Sequence, residues 1–279
     1  MSSLRSARSL LFVPGNDGPK LEKALAAGAD VVVADLEDAV PAAEKEAARR
    51  VVADRLARAP TGSLRAVRVN GAGTAFWDAD LDAVASLPLD VLVLPKATPD
   101  AVAELPDGPP VVAIVESATG LKQAHETASA PRVAALGLGA VDLGLELGLE
   151  PRPDGQEILF ARAQVVLDSA AAGIRAPFDV VHLDTRDAEG LERECLLARS
   201  LGFRGKLCIH PDQLEVVHRV FAPLEEEVER ARRVVDAYER GTAEGRGAVA
   251  LDGEMVDLPV VERARQILAQ AERSAPDGS

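Results

Sequence analysis

The sequence has only two cysteines and no long hydrophobic segment, and both absences exclude classes of protein. Cys195 and Cys208 show neither the spacing of a metal site nor that of a disulfide framework. Reduced thiols fit a reducing compartment, so we expect a cytoplasmic protein. No uninterrupted apolar run approaches the length of a membrane span, and the apolar stretch at 9–14 is too short for the core of a signal peptide. We therefore expect no membrane partner.

The sequence also lacks an excess of basic residues. It carries 31 Lys and Arg against 45 Asp and Glu, which gives a net charge of -14. A short basic run at 231–233 lies in a predicted helix that is rich in glutamate, which is typical of a solvent-exposed face. Without a basic patch, we expect no nucleic-acid partner.

Hydrophobic residues make up 47% of the chain and are concentrated in short runs, each followed by an amphipathic stretch. Strands that are apolar on both faces are typical of a parallel sheet covered by helices. The pattern predicts a (β/α)8 TIM barrel. A doubly wound open sheet is the alternative, but the loop after the first run does not match the GxGxxG pattern. The eight runs lie at 8–13, 30–36, 64–69, 90–95, 110–116, 132–139, 178–183 and 205–210.

The pattern of alternating strands and helices breaks near the C-terminus. A glycine-rich stretch at 239–257 separates the eighth unit and its following helix from a last amphipathic helix. We predict a barrel over residues 1–222 and a C-terminal helical arm over 223–279, with a candidate lid segment around 245–258.

Polar residues follow nearly every predicted strand. In a TIM barrel these strand ends converge on one mouth, where active sites lie. Several carboxylates so close together need a cation, and Mg²⁺ typically takes one or two carboxylates. Glu116 and Asp142 are the preferred ligands, because neither has a basic neighbour in the sequence; the alternative for each is a helix cap or an arginine partner. The strand-end residues are Asp35, Glu37, Asp38, Arg68, Asn70, Lys96, Glu116, Ser117, Asp142, His182, Asp184 and His210.

Two positively charged residues of this set, Arg68 and Lys96, each have two possible roles. Arg68 either forms a salt bridge to Asp35 or Glu37 or binds a substrate carboxylate with its planar fork, and both roles are compatible. Lys96 either forms a Schiff base, as in metal-free aldolases, or balances the charge of the acids, which is the preferred interpretation. We place Arg68, Glu116 and Lys96 among the groups that contact the substrate.

The ordered set of motifs resembles the citrate lyase beta-subunit-like family, which belongs to the Mg²⁺-dependent acyl-CoA carbon–carbon lyases and is related to malyl-CoA and citramalyl-CoA lyases. The resemblance runs from about residue 8 to about residue 265. The motifs are "RSLLFVPGN", "ADLEDAV", "VRVN", "PKA", "IVESATGL", "LGAVDL", "CIHPDQ" and "DGEMVDLPVVERA".

The resemblance implies roles for particular residues. Glu116 and Asp142 match the two carboxylates that hold Mg²⁺, and Arg68 matches the arginine that binds the keto-acid product. Glu37 and Asp38 match acids that lie around the water ligands of the metal and around that arginine.

Three further residues are implied by the same resemblance. Asp257 matches an aspartate that enters the site of a neighbouring subunit and protonates the enolate; the alternative is a helix cap. Phe12 and Lys20 lie in a loop that corresponds to part of the site for the thioester carrier.

The resemblance also implies a homotrimer or a dimer of trimers, and an activity. We expect cleavage of a citryl thioester to oxaloacetate and an acetyl thioester, with malyl-CoA and citramalyl-CoA as alternative substrates. Whether the carrier is free CoA or an acyl carrier protein with other citrate lyase subunits stays open. A non-catalytic keto-acid-binding or scaffold subunit is the alternative of another class.

Overall fold

The computed structural model describes residues 4–57 and 62–274 of the 279-residue chain. Contacts between residues divide it into two compact units, one up to Phe221 and the other from Ala222 onward. Each unit has a hydrophobic core of its own.

The first unit is built on a sheet of seven parallel strands within the described residues. The strands are β1 Ser9–Pro14, β2 Val31–Asp35, β3 Leu64–Arg68, β4 Val91–Leu94, β5 Val111–Val115, β6 Val133–Leu138 and β7 Lys206–Cys208. Their order in the sheet is β6-β5-β4-β3-β2-β1-β7. Since neighbouring strands are parallel, the chain must cross back between them, and helices make most of these connections.

Between β6 and β7, two consecutive residues form one isolated β-bridge each, in place of a full strand. Phe178 pairs with Gly137 of β6, and Asp179 pairs with Lys206 of β7, both in the parallel direction. The two bridges link the edges of the sheet and nearly close it into a ring. The predicted (β/α)8 barrel class is therefore confirmed.

The prediction of a full strand over 178–183 is wrong. β7 offers only three residues for pairing, so a longer strand beside it would have unpaired backbone groups. Beyond Asp179 the chain leaves the ladder, and Leu183 is already 67% exposed.

Alternation along the strands explains why the sequence runs are apolar on both faces. Val31 and Val33 point into the barrel, where they pack with Phe178. Val32 and Ala34 point outward into the larger core beneath the helices. Successive side chains of a strand point to opposite faces of the sheet. In a barrel, one face is buried in the interior and the other is buried beneath the helices.

The helices of the first unit are α1 Gly18–Leu25, α2 Lys45–Leu56, α3 Trp77–Val84, α4 Pro99–Ala103, α5 Ala118–Lys122, α6 Ala124–Ser129, α7 Ala140–Leu147, α8 Leu159–Ala171, α9 Ala188–Leu201 and α10 Leu214–Phe221. Several begin directly after a strand and carry side-chain caps. The hydroxyl of Ser117 accepts from the backbone N–H of Gly120, which starts α5 immediately after β5.

The second unit consists of α11 Glu225–Ala243, β8 Val249–Leu251, β9 Glu254–Val256 and α12 Leu258–Ser274. The two strands form an antiparallel hairpin whose turn residues, Asp252 and Gly253, both have positive φ, as Asp-Gly turns require. The glycine-rich stretch at 239–257 thus contains a hairpin. Within the described residues, no helix is long and apolar enough to cross a membrane.

Candidate active site

The carboxyl ends of the strands surround a cavity of about 300 Å³. The part of the ring from β2 to β6 contributes the polar side chains, which are Asp38, Arg68, Glu116 and Asp142. The adjacent part, formed by the segment after Asp179, β7 and β1, contributes Val181, Leu183, Leu207, Ile209 and Phe12. One arc of the cavity therefore carries the charged side chains together with apolar ones, and the other arc is apolar throughout. The apolar residues of the first arc are Ile114, Leu138, Ala140 and Val141.

Arg68 is held at the end of β3 by two carboxylates that follow β2. Its Nε and Nη2 atoms each donate to one oxygen of Asp35 at 2.7 Å, and Nη1 lies 3.0 Å from Glu37 Oε2. Asp38 is more exposed, with its carboxylate 3.7 Å from Nη1. The guanidinium also lies over the ring of Phe12, 5.1 Å from its centre. These contacts fix the orientation of the fork.

The guanidinium keeps donors for a ligand. Of its five N–H groups, Asp35 engages one on Nε and one on Nη2, so a second hydrogen on Nη2 remains. Arg68 lines the cavity although its side chain is only 13% exposed. Desolvation lowers the pKa of Arg68, but the hydrogen bonds and charge of Asp35 and the charges of Glu37 and Asp38 raise it overall, so it stays charged.

Lys96 follows β4 and lies among three carboxylates. Its Nζ donates to Glu37 Oε1 at 2.8 Å and lies 4.0 Å from Glu116 Oε1 and 3.9 Å from Asp142 Oδ2. Desolvation lowers the pKa of Lys96, but the hydrogen bond and charge of Glu37, together with Glu116, raise it above its ordinary value. A lysine held in the ammonium form is a poor nucleophile, so the geometry favours the electrostatic role over the Schiff base.

Glu116 is a carboxylate that directly follows a buried core strand, and its surroundings explain why it is tolerated there. It is 5% exposed, and its carboxylate accepts a hydrogen bond from the backbone N–H of Lys96 at 2.7 Å. A Cβ at Gly139 would lie 2.5 Å from both the Cβ and Oε2 of Glu116, so glycine leaves the space that the carboxylate uses. Burial, with the charge of Glu37 adding to it, raises the pKa of Glu116 to about 7.

Glu116 and Asp142 fit a hard divalent cation. Asp142 lies in the first turn of α7, its side chain is 39% exposed, and it lines the same cavity as Glu116. Both carboxylates lie within 4.0 Å of the same Lys96 nitrogen, so they converge on one region. No group of three or more His, Cys, Asp or Glu with metal-binding geometry occurs among the described residues. Two carboxylates with open positions suit Mg²⁺, which keeps several water ligands.

Comparison with known proteins agrees with this geometry. Residues 8–211 match the family model described as HpcH/HpaI aldolase/citrate lyase, and residues 160–273 match C-C bond lyase of the TIM-barrel fold. The chain belongs to the HpcH/HpaI aldolase/citrate lyase family. It is 39% identical over 288 residues to citrate lyase subunit beta of Leuconostoc mesenteroides subsp. cremoris, covering 97% of this chain and 95% of that protein.

Two further relatives extend the picture of the HpcH/HpaI aldolase/citrate lyase family. A (3S)-malyl-CoA thioesterase of Cereibacter sphaeroides is 40% identical over 273 residues, covering 96% of this chain and 95% of the relative. The crystal structure of CitE from Mycobacterium tuberculosis, in complex with magnesium, acetoacetate and coenzyme A, is 38% identical. It superposes with a TM-score of 0.84 and covers 96% of this chain and 100% of that one.

These findings confirm the predicted family and its class of reaction, a carbon–carbon lyase. The magnesium in the solved relative confirms the predicted cofactor class. The identity of the substrate and the oligomeric state stay predictions.

The structure brings together most of the predicted site residues, which are Phe12, Glu37, Asp38, Arg68, Lys96, Glu116 and Asp142. Lys20 lies in α1, where its ammonium pairs with Asp17 at 3.1 Å and is 66% exposed; it does not line the cavity. Asp257 lies in the second unit, immediately before α12, and its carboxylate accepts the backbone N–H of Val260 at 3.4 Å, as a helix cap does. Its role in a neighbouring subunit's site stays a prediction.

Asn70, a strand-end residue, supports the fold instead of lining the cavity. Its backbone N–H donates to Asp80 at 2.7 Å, and its side-chain amide donates to the carbonyl of Leu36 at 2.9 Å. Asp80 in turn accepts from Arg49 at 2.7 Å. Asn70 therefore connects the ends of β2 and β3 to α3. Hydrogen bonds between residues so far apart in the chain cannot be predicted from the spacing of residues in the sequence.

A buried charge network beside the barrel is missing from the sequence prediction. Asp179 accepts from Arg162 Nε at 2.8 Å and from Lys206 Nζ at 2.9 Å, and all three side chains are fully buried. Glu194 pairs with both cations, and His182 lies 3.0 Å from it. The sequence feature that could have indicated this network is a charged residue inside each of two apolar runs. These residues are Asp179, which follows Phe178, and Lys206, which precedes Leu207.

Proposed function

We propose that the chain cleaves a 3-hydroxy-3-carboxyacyl thioester, with Mg²⁺ as cofactor, into a 2-keto acid and a shorter acyl thioester. The observation that carries this proposal is the side-by-side placement of the Arg68 fork and the Glu116–Asp142 pair in one cavity. The first suits the carboxylate of the substrate and the second suits a divalent cation.

Arg68 binds and orients the substrate carboxylate through the N–H groups that Asp35 leaves free. Asp35 and Glu37 hold the fork in place, so that little side-chain freedom is lost when the ligand binds. Glu116 and Asp142 would hold Mg²⁺, and a bound Mg²⁺ would lower the pKa of the substrate hydroxyl and stabilise negative charge on its oxygen.

In the proposed cleavage the bond between C2 and C3 of the acyl group breaks. The hydroxyl at C3 loses its proton to solvent and becomes the keto oxygen, and the electron pair of the broken bond passes to C2 to form the thioester enolate. A proton then adds at C2. We assign that proton to Asp257 of a neighbouring subunit, which rests on the family resemblance.

Lys96 keeps the carboxylates of the mouth together. It pairs with Glu37 and lies near both proposed metal ligands, so its charge reduces their mutual repulsion. This role requires the ammonium form, which its raised pKa supplies.

The relatives support a thioester substrate but differ in its acyl group. One relative is named for citrate lyase and another for malyl-CoA, and the solved relative contains coenzyme A. Citryl, malyl and citramalyl thioesters all belong to the proposed class. Free CoA and an acyl carrier protein are both candidate carriers, Phe12 and Lys20 being the proposed carrier contacts, and a homotrimer or hexamer is the proposed assembly.

The proposal is tested by incubating the protein with each of the three CoA thioesters, with Mg²⁺ or with EDTA, and by assaying keto acid and free thioester. Arg68→Lys keeps the charge but removes the fork, and we expect its kcat/KM to fall about 10- to 100-fold. Arg65→Lys is the matched control, because Arg65 lies on the same strand and pairs with Asp90 instead. Absence of Mg²⁺-dependent cleavage with all three acyl groups, carried on CoA and also on an acyl carrier protein, would contradict an enzymatic function and favour the scaffold alternative.

A further inference from the structure

We infer that Lys45 is a positioning residue of the keto-acid site, which acts through the backbone of Glu37 to set the orientation of the Arg68 fork. The inference rests on the proposed function, because it concerns the same carboxylate-binding arginine. Lys45 is the first residue of α2, is 7% exposed, and does not line the cavity of the mouth. Its effect on a ligand in the mouth therefore passes through other residues.

The ammonium group of Lys45 binds the loop that follows β2. Its Nζ donates to the carbonyl oxygens of Leu36 and Glu37, each at 2.7 Å. It also lies 5.3 Å from the centre of the Phe76 ring, whose face attracts a cation. These three neighbours match the three N–H donors of an ammonium group.

Lys45 is a buried cation without an acidic partner in direct contact. Its side chain forms no salt bridge within residues 4–57 and 62–274. Burial lowers the pKa of Lys45 below its ordinary value, although the more distant charges of Asp35 and Asp80 oppose this shift. Burying an unpaired cation costs free energy that a neutral donor to the same carbonyls would avoid. The charge therefore indicates a role beyond the satisfaction of two carbonyl groups.

Asp35 holds the other side of the same loop. Its carboxylate accepts the backbone N–H of Glu37 at 2.9 Å and that of Ala39 at 3.1 Å. The peptide group between Leu36 and Glu37 is therefore fixed at both ends, because Asp35 binds its N–H and Lys45 binds its C=O. Lys45 also binds the C=O of Glu37 itself. Both peptide groups that flank the Glu37 side chain thus have a fixed orientation.

Glu37 connects this loop to both cations of the mouth. Its Oε2 lies 3.0 Å from Nη1 of Arg68, and its Oε1 accepts from Nζ of Lys96 at 2.8 Å. Asp35 binds the Nε and Nη2 side of the guanidinium, so Glu37 is the acid nearest to Nη1. A change in the direction of the Glu37 carboxylate would therefore shift the Arg68 donors that remain for a substrate. A displacement of about 1 Å at a reacting group can lower a rate about 100-fold.

The charge of Lys45 also acts on the acids of this loop. Asp35, Glu37 and Asp38 lie within four consecutive residues and face a single guanidinium. Like charges at this spacing disfavour the ionised forms, and burial raises the pKa of Glu37 above its ordinary value. An ammonium group on the carbonyl side of the loop favours the ionised carboxylates, which a neutral donor would not do.

The experiment measures the affinity of the full-length protein for pyruvate and for oxaloacetate, by calorimetry at saturating Mg²⁺. Lys45→Met keeps the length of the side chain but removes its charge and its donors, and we expect binding of both keto acids to weaken at least about tenfold. Lys45→Gln keeps a neutral donor and supports the fold if the methionine variant does not fold; it should shift the affinity in the same direction. Mg²⁺ binding without a keto acid should change far less, because Lys45 contacts neither Glu116 nor Asp142.

Two further variants separate positioning from a general loss of stability. Leu56→Ala is the matched control, because Leu56 is 1% exposed on the same helix but lies about three turns from Lys45. It should lower the melting temperature and leave the keto-acid affinity unchanged. Since Lys45 acts through Glu37, adding Lys45→Met to Glu37→Gln should weaken keto-acid binding by less than about twofold further.

The outcomes distinguish this inference from the proposed function. Wild-type keto-acid affinity in the Lys45 variants would overturn the inference and leave the proposed function intact. An equal loss of affinity in Leu56→Ala would do the same, and so would an equal effect of Lys45→Met with and without Glu37→Gln. A wild-type protein that binds neither keto acid and cleaves no thioester would instead overturn the proposed function.

Discussion

Replacing Asp179 by asparagine should destabilise the first unit more than any surface substitution, because it removes the central charge of a buried network. The carboxylate is fully buried and accepts two hydrogen bonds from Arg162, at 2.8 and 3.2 Å, and one from Lys206 at 2.9 Å. Without its charge, two buried cations would face the single carboxylate of Glu194.

The magnitude follows from the burial of these groups. Removing one partner of a buried ion pair costs about 3–5 kcal/mol, because it leaves an uncompensated buried charge. Since native proteins are stable by about 5–15 kcal/mol, Asp179→Asn should remove a large part of the free energy of unfolding. Asp179 also pairs with Lys206 at the shortened strand position between β6 and β7, so the substitution should weaken the closure of the barrel.

Urea denaturation followed by the fluorescence of the single tryptophan, Trp77, measures this loss, because Trp77 is 7% exposed in the first unit. The matched control is Glu192→Gln, which breaks an exposed pair with Arg219 and should cost no more than about 1 kcal/mol. A loss below about 1 kcal/mol for Asp179→Asn would refute the reasoning.

The effect should also depend on pH. Burial raises the pKa of Asp179, but the charges of Lys206 and Arg162 overcome it and lower the pKa below its ordinary value. A lowered pKa contributes stability above the pKa of the unfolded chain, about 4, and this contribution is lost as the pH falls toward the folded value. The difference in the free energy of unfolding between the wild type and Asp179→Asn should therefore be largest at neutral pH and should shrink below about pH 4.

Four further predictions concern the mouth. Calorimetry should show Mg²⁺ binding lost or greatly weakened in both Glu116→Ala and Asp142→Ala, because each removes one of two proposed ligands. Gly139→Ala should weaken Mg²⁺ binding too, since the added methyl would lie 2.5 Å from the Glu116 carboxylate and displace it. Borohydride reduction in the presence of pyruvate or oxaloacetate should leave the protein mass unchanged, because Lys96 is held as an ammonium ion. Mixing the inactive Asp257→Ala and Glu116→Ala proteins under subunit exchange should partly restore activity, because a mixed oligomer can pair an intact mouth with an intact Asp257.

Each of these has an outcome that contradicts it. Wild-type Mg²⁺ affinity in both alanine variants would remove the metal assignment, and a reduced adduct on Lys96 with activity in EDTA would indicate a metal-free aldolase. Gly71→Ala is the control for Gly139→Ala, because a Cβ at Gly71 meets only the Lys96 Cδ at 3.8 Å. If exchange is demonstrated and no activity returns, Asp257 does not act on a neighbouring subunit.

Much of the site could be predicted from the sequence because a TIM barrel brings strand ends together. Once the apolar runs are assigned as parallel strands, Arg68, Lys96 and Glu116 must meet at one mouth, whatever the lengths of the helices between them. Other strand-end residues follow the same rule less well. Asn70 lies two residues after the end of its strand, as Lys96 does. Its hydrogen bonds nevertheless connect the ends of β2 and β3 to α3.

By itself, the sequence determined the barrel class, the order of seven of the strands, the family, and the polar residues that follow the strands at the mouth, since these depend on local pattern and on motifs. Only the tertiary structure decided which charges are paired in the buried network beside the barrel. The partners Arg162, Asp179 and Lys206 are distant in sequence, and no local pattern specifies that their charges neutralise one another in the core. The same holds for the shortened eighth strand at Phe178–Asp179, whose length depends on the three residues that β7 offers for pairing. The local sequence pattern therefore predicts secondary-structure elements, whereas the pairing of buried charges and of strands depends on contacts between residues that are distant in the sequence.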